Sequence, residues 1–242
     1  KEVKGLSTKN HFFHYQLEFV DVYKERGGFD IAVGNPPWLK ITFEEKGLMS
    51  EVFPELSIRK TKAPEVRKLQ HNFLTVETQK QTYFDEYIET EAYSVFMNAY
   101  QNYPLLKGQQ TNLYKCILEN GLQWIAKNGF LGLIHPEGIY DDPNGYELRK
   151  EIYQRLKYHF QFQNQNQKNL FTEVARTRLF SLNIYCGSLG TINFFNINNL
   201  YDVSTVDRTF SSNDYSYSGG IKVKNPISNK YEWNIKGAKS RL

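Results

Sequence analysis

Phe29-Asp30-Ile31-Ala32-Val33-Gly34-Asn35-Pro36-Pro37-Trp38 is the stretch on which the reading of this chain turns. Its first six residues form a short, mostly apolar run that begins after Gly27-Gly28 and is bounded by turn residues at both ends. Such a run predicts a buried strand of a parallel sheet. Two consecutive prolines then stop it, because neither can donate to a strand ladder and both have a fixed φ. In open α/β sheets, ligands gather at the carboxyl ends of strands. Asn35 to Trp38 therefore sits where chemistry is expected, and so does His135-Pro136 after a second apolar run.

The rest of the chain is organised around these two strands. Upstream, residues 1–28 read as irregular, and the aromatic-rich stretch His11-Phe12-Phe13-His14-Tyr15-Gln16-Leu17-Glu18-Phe19 should pack on a domain surface. Tyr15, Phe19 and Tyr23 are expected in the core. Residues 39–111 read as a long, mostly helical insertion. Within it Val66, Leu69, Phe73 and Val76 make one helical face, starting after Ala63-Pro64-Glu65. Phe84, Ile88, Val95, Phe96 and Ala99 make a second face. Lys80 interrupts the pattern between them, which leaves open one long helix or two.

Residues 112–127 predict a helix stopped by Asn128-Gly129. Phe130-Leu131-Gly132-Leu133-Ile134 follows as the second buried strand. An amphipathic helix over 146–158 uses Leu148, Ile152 and Leu156, and a third strand lies near 158–162. Residues 178–185 alternate and can pair with 191–195 as a hairpin across Gly187-Ser188-Leu189-Gly190. After Asn196 the composition shifts to Ser, Asn, Asp, Tyr and Gly, which reads as a polar tail or linker. The expected architecture is α/β. Residues 1–195 form one domain with 39–111 inserted, and 196–242 trail from it.

Composition narrows the class of protein. The chain has 242 residues, 40% hydrophobic and 23% charged, ordinary values for a globular protein. A net charge of +4 is too mild to announce nucleic-acid binding by itself. The aromatic share of 15% is high, and Tyr and Phe serve either a core or the stacking of flat ligands. The two cysteines, Cys116 and Cys186, form no CxxC or Cys/His pattern and read as reduced core thiols of a cytosolic protein. No metal-site spacing, membrane-length apolar run or signal-peptide pattern is visible.

Asn35-Pro36-Pro37-Trp38 carries the chemistry. The exocyclic amine of adenine is a poor nucleophile because its lone pair is delocalised into the ring. Two acceptors that bind both N–H groups favour a pyramidal nitrogen with a localised pair. The Asn35 amide oxygen can be one. The Pro36 carbonyl, held stiffly by the proline pair, can be the other. Trp38 can stack on the base face. A sulfonium methyl placed in line then needs neither a metal nor a covalent intermediate. Catalysis would come from positioning and from acceptors matched to the charge that develops on nitrogen. The base must leave the duplex to reach such a pocket. The bland alternative for a Pro-Pro turn is a simple strand terminator.

The ten-residue stretch resembles the catalytic motif of N6-adenine DNA methyltransferases, and most closely the large Eco57I-type (type IIG-like) restriction–modification methylases. Several segments are similar to that family in order. They are Phe13 to Phe19, Asn112-Leu113-Tyr114 through Leu122, residues 128–136 with Leu148-Arg149, and Leu170-Phe171-Thr172-Glu173-Val174. Gly219-Gly220-Ile221-Lys222 and Gly237-Ala238-Lys239-Ser240-Arg241 resemble it imperfectly, since the family usually has Pro-Gly-Ile-Lys and Gly-His-Lys there. The resemblance implies a partial Rossmann-like methyltransferase sheet with a helical insertion and a C-terminal β-hairpin. It implies Asn35, Pro36, Pro37 and Trp38 as catalytic residues, with Trp38 and Phe171 against the extruded base. It also implies S-adenosylmethionine as methyl donor, double-stranded DNA as partner and a bacterial cytoplasmic restriction–modification system as setting. No strand with a glycine-rich turn precedes Asn35. On this resemblance the chain is expected to be a fragment that lacks the family's cofactor-binding start and its DNA-reading region. It would bind cofactor poorly by itself and be able to pair through an open strand edge.

Other residues have two readings. Arg176 and Arg178 flank Thr177 near Phe171, and either touch phosphates or line a solvated strand edge. Lys239 and Arg241 contact phosphate or form a solvated basic surface. His135, a lone histidine before proline, reads as structural. Two alternative functions remain. Release-factor glutamine N5-methyltransferases use the same Asn-Pro-Pro-aromatic logic, though they are compact after the motif. A catalytically inactive DNA-binding module is the other, and the intact motif argues against it.

Overall fold

A computed structural model describes residues 5, 7, 8, 13–59, 61–110, 112–164, 170–172, 174, 175, 177–211 and 222–233. The chain divides into two compact units, one formed by residues 1–38 with 117–242 and one by residues 39–116.

The first unit is the mixed α/β fold expected from the sequence. It is built on a five-stranded sheet of β1 (Phe29–Gly34), β2 (Ile125–Pro136), β3 (Leu156–Gln163), β4 (Leu179–Cys186) and β5 (Phe195–Leu200). The strand order is β1-β2-β4-β3-β5. β1 runs parallel to β2 and β3 parallel to β5, while β4 is antiparallel to both β2 and β3. Four strands thus point one way and β4 points the other. The carboxyl ends of β1, β2, β3 and β5 share one rim with the amino end of β4.

Helices lie against both faces of the sheet, though not over the outer face of β1. One face carries Leu131, Leu133, His135 and Tyr185 beneath α7 (Leu113–Trp124), α8 (Gly138–Asp141) and α9 (Tyr146–Arg155). Leu148 and Ile152 of α9 are fully buried, as the amphipathic spacing predicts. The other face gathers Phe160, Phe162, Phe180 and Leu200, with Ile134, Leu182 and Ile197 packed around them. Val206 and Phe210 of α10 (Ser204–Phe210) close it, the Phe210 ring lying 5.5 Å from Tyr158. Ahead of the sheet, α1 (Tyr15–Glu18) and α2 (Val20–Arg26) bring an aromatic cluster to the start of β1. Tyr15 lies 4.4 Å from Trp124, and Phe19 lies 5.2 Å from Phe29.

Several sequence expectations are corrected here. β1 is parallel but not buried: Ile31 and Val33 are 70% and 80% exposed. Among the described residues β1 pairs only with β2, and the face bearing these side chains has no layer over it. Phe19, expected in the core, is 41% exposed although its ring touches Phe29. The helix over 112–127 stops at Trp124, and Asn128-Gly129 lies inside β2. Gly129 serves a bulge in the β1–β2 ladder: a Cβ there would stand 2.5 Å from the Phe29 carbonyl oxygen. Gly28 has a similar duty, with φ at +148° and a would-be Cβ 2.6 Å from the Trp124 carbonyl. Residues 178–185 and 191–195 form no hairpin together, because β4 is fully paired between β2 and β3 and β5 joins β3 in parallel. A different hairpin, not expected from the sequence, is formed by β6 (Lys222–Lys224) and β7 (Tyr231–Trp233). Among the described residues after Asn196, where composition suggested a polar tail, the chain forms the rest of β5, α10, β6 and β7.

The second unit is helical, as expected. It comprises α3 (Glu45–Ser50), α4 (Glu55–Ile58), α5 (Ala63–Thr75), α6 (Glu77–Asn98) and the first residues of α7. Its core is Met49, Leu56, Val66 and Phe73, with Leu48, Phe53, Leu69 and Tyr83 packed against it. The break between α5 and α6 falls at Val76, whose ψ of 118° is extended, rather than at Lys80. The first predicted face is thus buried through Val66, Leu69 and Phe73, while Val76 itself is 45% exposed. The second predicted face is not buried: Ile88 and Val95 are 61% and 67% exposed, and no residue of α6 is buried. α6 joins the unit's core through Tyr83, whose hydroxyl donates to Glu45 at 2.6 Å.

Candidate functional site

β1 delivers Asn35 and the proline pair to the sheet rim. Its ladder with β2 ends at Gly34 opposite Leu133, and the chain then turns away. Asn35 is exposed, and its amide has no hydrogen-bond partner among the described residues. Pro36 is buried and Pro37 exposed, so the turn is anchored at its first proline. A polar amide left free at the carboxyl end of a parallel strand, on a stiff turn, is available to a ligand at no cost in internal bonds.

Trp38 is half-buried and held at defined points. Its indole N–H donates to the Ile134 carbonyl at 3.3 Å, just past the last β1–β2 pair. Phe171 meets it edge-on, with centroids 5.3 Å apart and planes inclined 65°, and Phe180 lies beside it at 5.8 Å. The structure thus brings together Trp38 and Phe171, residues 133 apart in sequence. At this distance and inclination the two rings leave no parallel slot between them for a third.

Phe171 is held there by a residue that the sequence reading did not single out. Asn164, fully buried just after β3, donates through its side chain to the Phe171 and Val174 carbonyls, both at 2.8 Å. Its amide oxygen accepts the Phe171 N–H at 3.1 Å. All three bonds go to backbone of the β3–β4 loop. An asparagine at a strand end is a common turn signal, but only the fold reveals which loop it ties. Arg178 is exposed at the same rim, immediately before β4. Glu173, Arg176, Lys239 and Arg241 lie outside the described residues, as do the stretches around Gly219 and Gly237 and the start of the aromatic lead-in at His11 and Phe12.

Behind the rim, on the sheet face opposite Trp38, is a buried polar network. His135 is completely buried and structural, as the sequence suggested. Its Nδ1–H donates to the Pro136 carbonyl at 2.9 Å. Nε2 then accepts from the Tyr185 hydroxyl and the Asn183 amide, each at 2.9 Å. Burial pushes its pKa down to about 4, so it is neutral. Tyr140 of α8 completes the group, donating to Asn183 at 2.7 Å.

His159 of β3 stands in the opposite state. Its Nε2 donates to Glu137 at 3.2 Å and its Nδ1 to the Asn196 amide oxygen at 2.7 Å. Facing an amide oxygen on one side and a carboxylate on the other, both nitrogens are placed to donate, which favours the imidazolium. Desolvation lowers its pKa, but the bonds to Glu137 and Asn196 outweigh this and raise it. Glu137, the first residue after β2, also accepts from Gln161 at 2.8 Å. Burial would raise its pKa, yet these donors hold its carboxyl below the usual range.

Among the described residues no group of His, Cys, Asp and Glu is placed to hold a metal ion, and no helix is long and apolar enough to cross a membrane. Both cysteines are buried thiols outside any disulfide. Upstream of Asn35 no described strand ends in a glycine-rich turn. The Gly187–Gly190 turn follows the antiparallel β4, at the far end of the sheet from Asn35.

The family model described as Eco57I restriction-modification methylase matches residues 2–171. No curated protein matches the chain. Among solved structures, it is similar to the ATP-dependent Type ISP restriction-modification enzyme LlaBIII bound to DNA, at 11% identity and a TM-score of 0.35, over 70% of this chain and 10% of that one. A Listeria monocytogenes protein provisionally assigned as a class I S-adenosylmethionine-dependent methyltransferase aligns at 14% identity and TM-score 0.35, over 46% of this chain and 35% of that one. The DrdV–DNA complex aligns at 12% identity and TM-score 0.33, over 69% and 14%. The chain thus spans between a tenth and about a third of the length of these structures.

Proposed function

Because the chain belongs to the Eco57I restriction-modification methylase family, we propose that it forms the target-base half of a DNA adenine-N6 methyltransferase, with Asn35 to Trp38 as its catalytic turn. The observation that carries this reading is the free amide of Asn35 at the carboxyl end of β1, next to a buried proline and an anchored indole.

S-adenosylmethionine, the cofactor of a methylase, supplies an electrophilic sulfonium methyl when bound. The described residues do not provide its full cradle, since no glycine-rich turn ends a strand before Asn35. The chain's own contribution lies on the base side. Asn35 Oδ1 and the Pro36 carbonyl accept the two N–H bonds of the extruded amine, which draws its lone pair out of conjugation. Because the prolines fix the turn, little reorganisation accompanies charge development on nitrogen. Trp38 offers one face to the base, and Phe171, edge-on to the indole, braces it from the side. Arg178, and beyond the described residues Arg176, Lys239 and Arg241, are proposed to meet DNA phosphates.

The test is Asn35→Ala in the full-length protein with labelled S-adenosylmethionine and duplex DNA, the product nucleoside being identified by mass spectrometry. N6-methyladenine should form with the wild type, and turnover should be lost in the variant. DNA affinity should be largely kept, since phosphate contacts supply most of it. Unchanged methylation in the variant, or methylation of cytosine or of a release-factor glutamine by the wild type, would refute the assignment.

A further inference from the structure

The acceptor that holds Trp38 is the backbone at the end of β2, and that backbone has its own anchor. The β1–β2 ladder is finished at Gly34–Leu133, so the Ile134 carbonyl that takes the indole N–H lies beyond the support of β1. On the other side, the β2–β4 ladder ends at Pro136 opposite Phe180. Glu137 comes next. A glutamate at a sheet rim would ordinarily turn to water, because a buried carboxylate is costly unless its lone pairs are satisfied. Here the side chain turns inward, only 16% exposed, and meets two donors on β3, His159 and Gln161. His159 is itself tied to Asn196 of β5. One carboxylate thus links the end of β2 to β3 directly and, through His159, to β5. His135 secures the adjoining Pro136 carbonyl on the same face.

We infer that Glu137 is a positioning residue for the base site: its carboxylate fixes the end of β2 and with it the Ile134 carbonyl that orients the Trp38 indole. This rests on the role given to Trp38 above. Glu137 does not touch the substrate. It acts through the two intervening residues of its own strand end, His135 and Pro136, and His159 is its principal partner. The groups facing His159 are Glu137 at the end of β2, Tyr140 of α8 (rings 5.0 Å apart), Asn196 of β5, and the neutral His135 nearby. Loss of the imidazolium proton would therefore turn the charged pair with Glu137 into a neutral contact and leave one of the two ring nitrogens without a proton to donate.

The experiment uses the chain with Trp124 and Trp233 replaced by Phe, so that emission reports Trp38 alone. Glu137→Gln is nearly isosteric but cannot pair with the His159 cation, and His159→Gln removes that cation from the other side. Both should red-shift Trp38 emission and make it more accessible to acrylamide. The unsubstituted pair should show the same change as pH rises through the elevated pKa of His159, and the His159→Gln protein should not. In the full-length protein Glu137→Gln should lower kcat by roughly 10- to 100-fold with KM for DNA little changed, the cost of a misplaced site. Unchanged Trp38 emission in both folded variants overturns the inference, and leaves the methylation reading standing if Asn35→Ala is inactive. A shift in emission in a protein that does not methylate adenine supports the anchor and refutes the function. If Glu137→Gln fails to fold, as judged by circular dichroism, the pH step in the unsubstituted pair and its loss in His159→Gln decide the matter.

Discussion

His135 should make this protein acid-sensitive before its carboxylates do. The imidazole is fully buried, and its Nδ1–H and Nε2 are both committed in the neutral form. Its pKa falls from 6.5 to about 4. In the unfolded chain it takes a proton near the ordinary value, whereas in the folded chain it does not. Between these pH values the unfolded state binds more protons, so stability rises with pH. The contribution is complete above 6.5 and is lost as the pH falls toward about 4. At 1.36 kcal/mol per pH unit this amounts to about 3 kcal/mol, a sizeable share of the roughly 5–15 kcal/mol that holds a domain folded. The assay is urea unfolding followed by far-ultraviolet circular dichroism across that range, for the wild type and His135→Gln. The glutamine cannot titrate, and its amide offers one donor group and one acceptor. The variant should be less stable at neutral pH by about 1–3 kcal/mol, the cost of imperfectly met buried partners. Its stability should fall less steeply with acid, so that the two curves converge. Parallel curves would show that His135 is charged in the fold or already neutral in the unfolded chain, and the reasoning would fail.

Other perturbations test the remaining parts. His159 acts with the opposite sign: its raised pKa gives stability that is full below 6.5 and lost as pH rises through the folded value, so the wild-type optimum should lie near 6.5 and His159→Gln should flatten the alkaline side of the same unfolding series. Asn164→Ala leaves one backbone N–H and two carbonyls of the β3–β4 loop without their partner and should cost about 1–3 kcal/mol, with faster proteolysis near Phe171. Gly129→Ala places a methyl against the Phe29 carbonyl and should cost about 1–3 kcal/mol in urea melts. Phe73→Ala empties the core of the helical unit and should cost about 3–5 kcal/mol, whereas Asn35→Ala, exposed and unpartnered, should change stability by less than about 0.5 kcal/mol.

Much of the fold was legible because it follows local rules. The strand before Asn35-Pro36-Pro37, the second strand before His135-Pro136 and the amphipathic helix through Leu148 and Ile152 all announce themselves by period and by punctuation. What was misread depends on neighbours distant in sequence. Asn128-Gly129 has the appearance of a helix stop, but Ile125 and Ala126 are already strand, and the glycine answers to the Phe29 carbonyl on another strand. The run at 178–185 has the alternation of a hairpin arm. Nothing in its own residues says that its partners are β2 and β3 rather than the segment that follows. Ile31 and Val33 read as buried because apolar residues usually are, yet burial depends on what lies across the face, and among the described residues nothing does.

The site divides in the same way. Asn35, Pro36, Pro37 and Trp38 are contiguous, so their grouping could be read directly. The pairing of Phe171 with Trp38 could be reached only through the family resemblance, since no spacing rule links positions 133 residues apart. Asn164, Glu137, His159 and Gln161 drew no attention because each is an ordinary polar residue until β3 and β4 are laid side by side. Register then decides everything: His159 pairs with Asn183 and Gln161 with Ser181, while His135 also pairs with Ser181 from the other strand. These pairings put polar side chains on one face of the same three strands whose other face buries Phe160, Phe162 and Phe180. A slip of one residue in β4 would move Ser181 and Asn183 into that apolar core and bring Phe180 and Leu182 to the histidines. The polar network therefore has a use beyond any single bond. It makes the wrong register expensive at the rim where the Asn35 turn and the Trp38 indole must meet, so the accuracy of the candidate site is enforced by residues that never touch it.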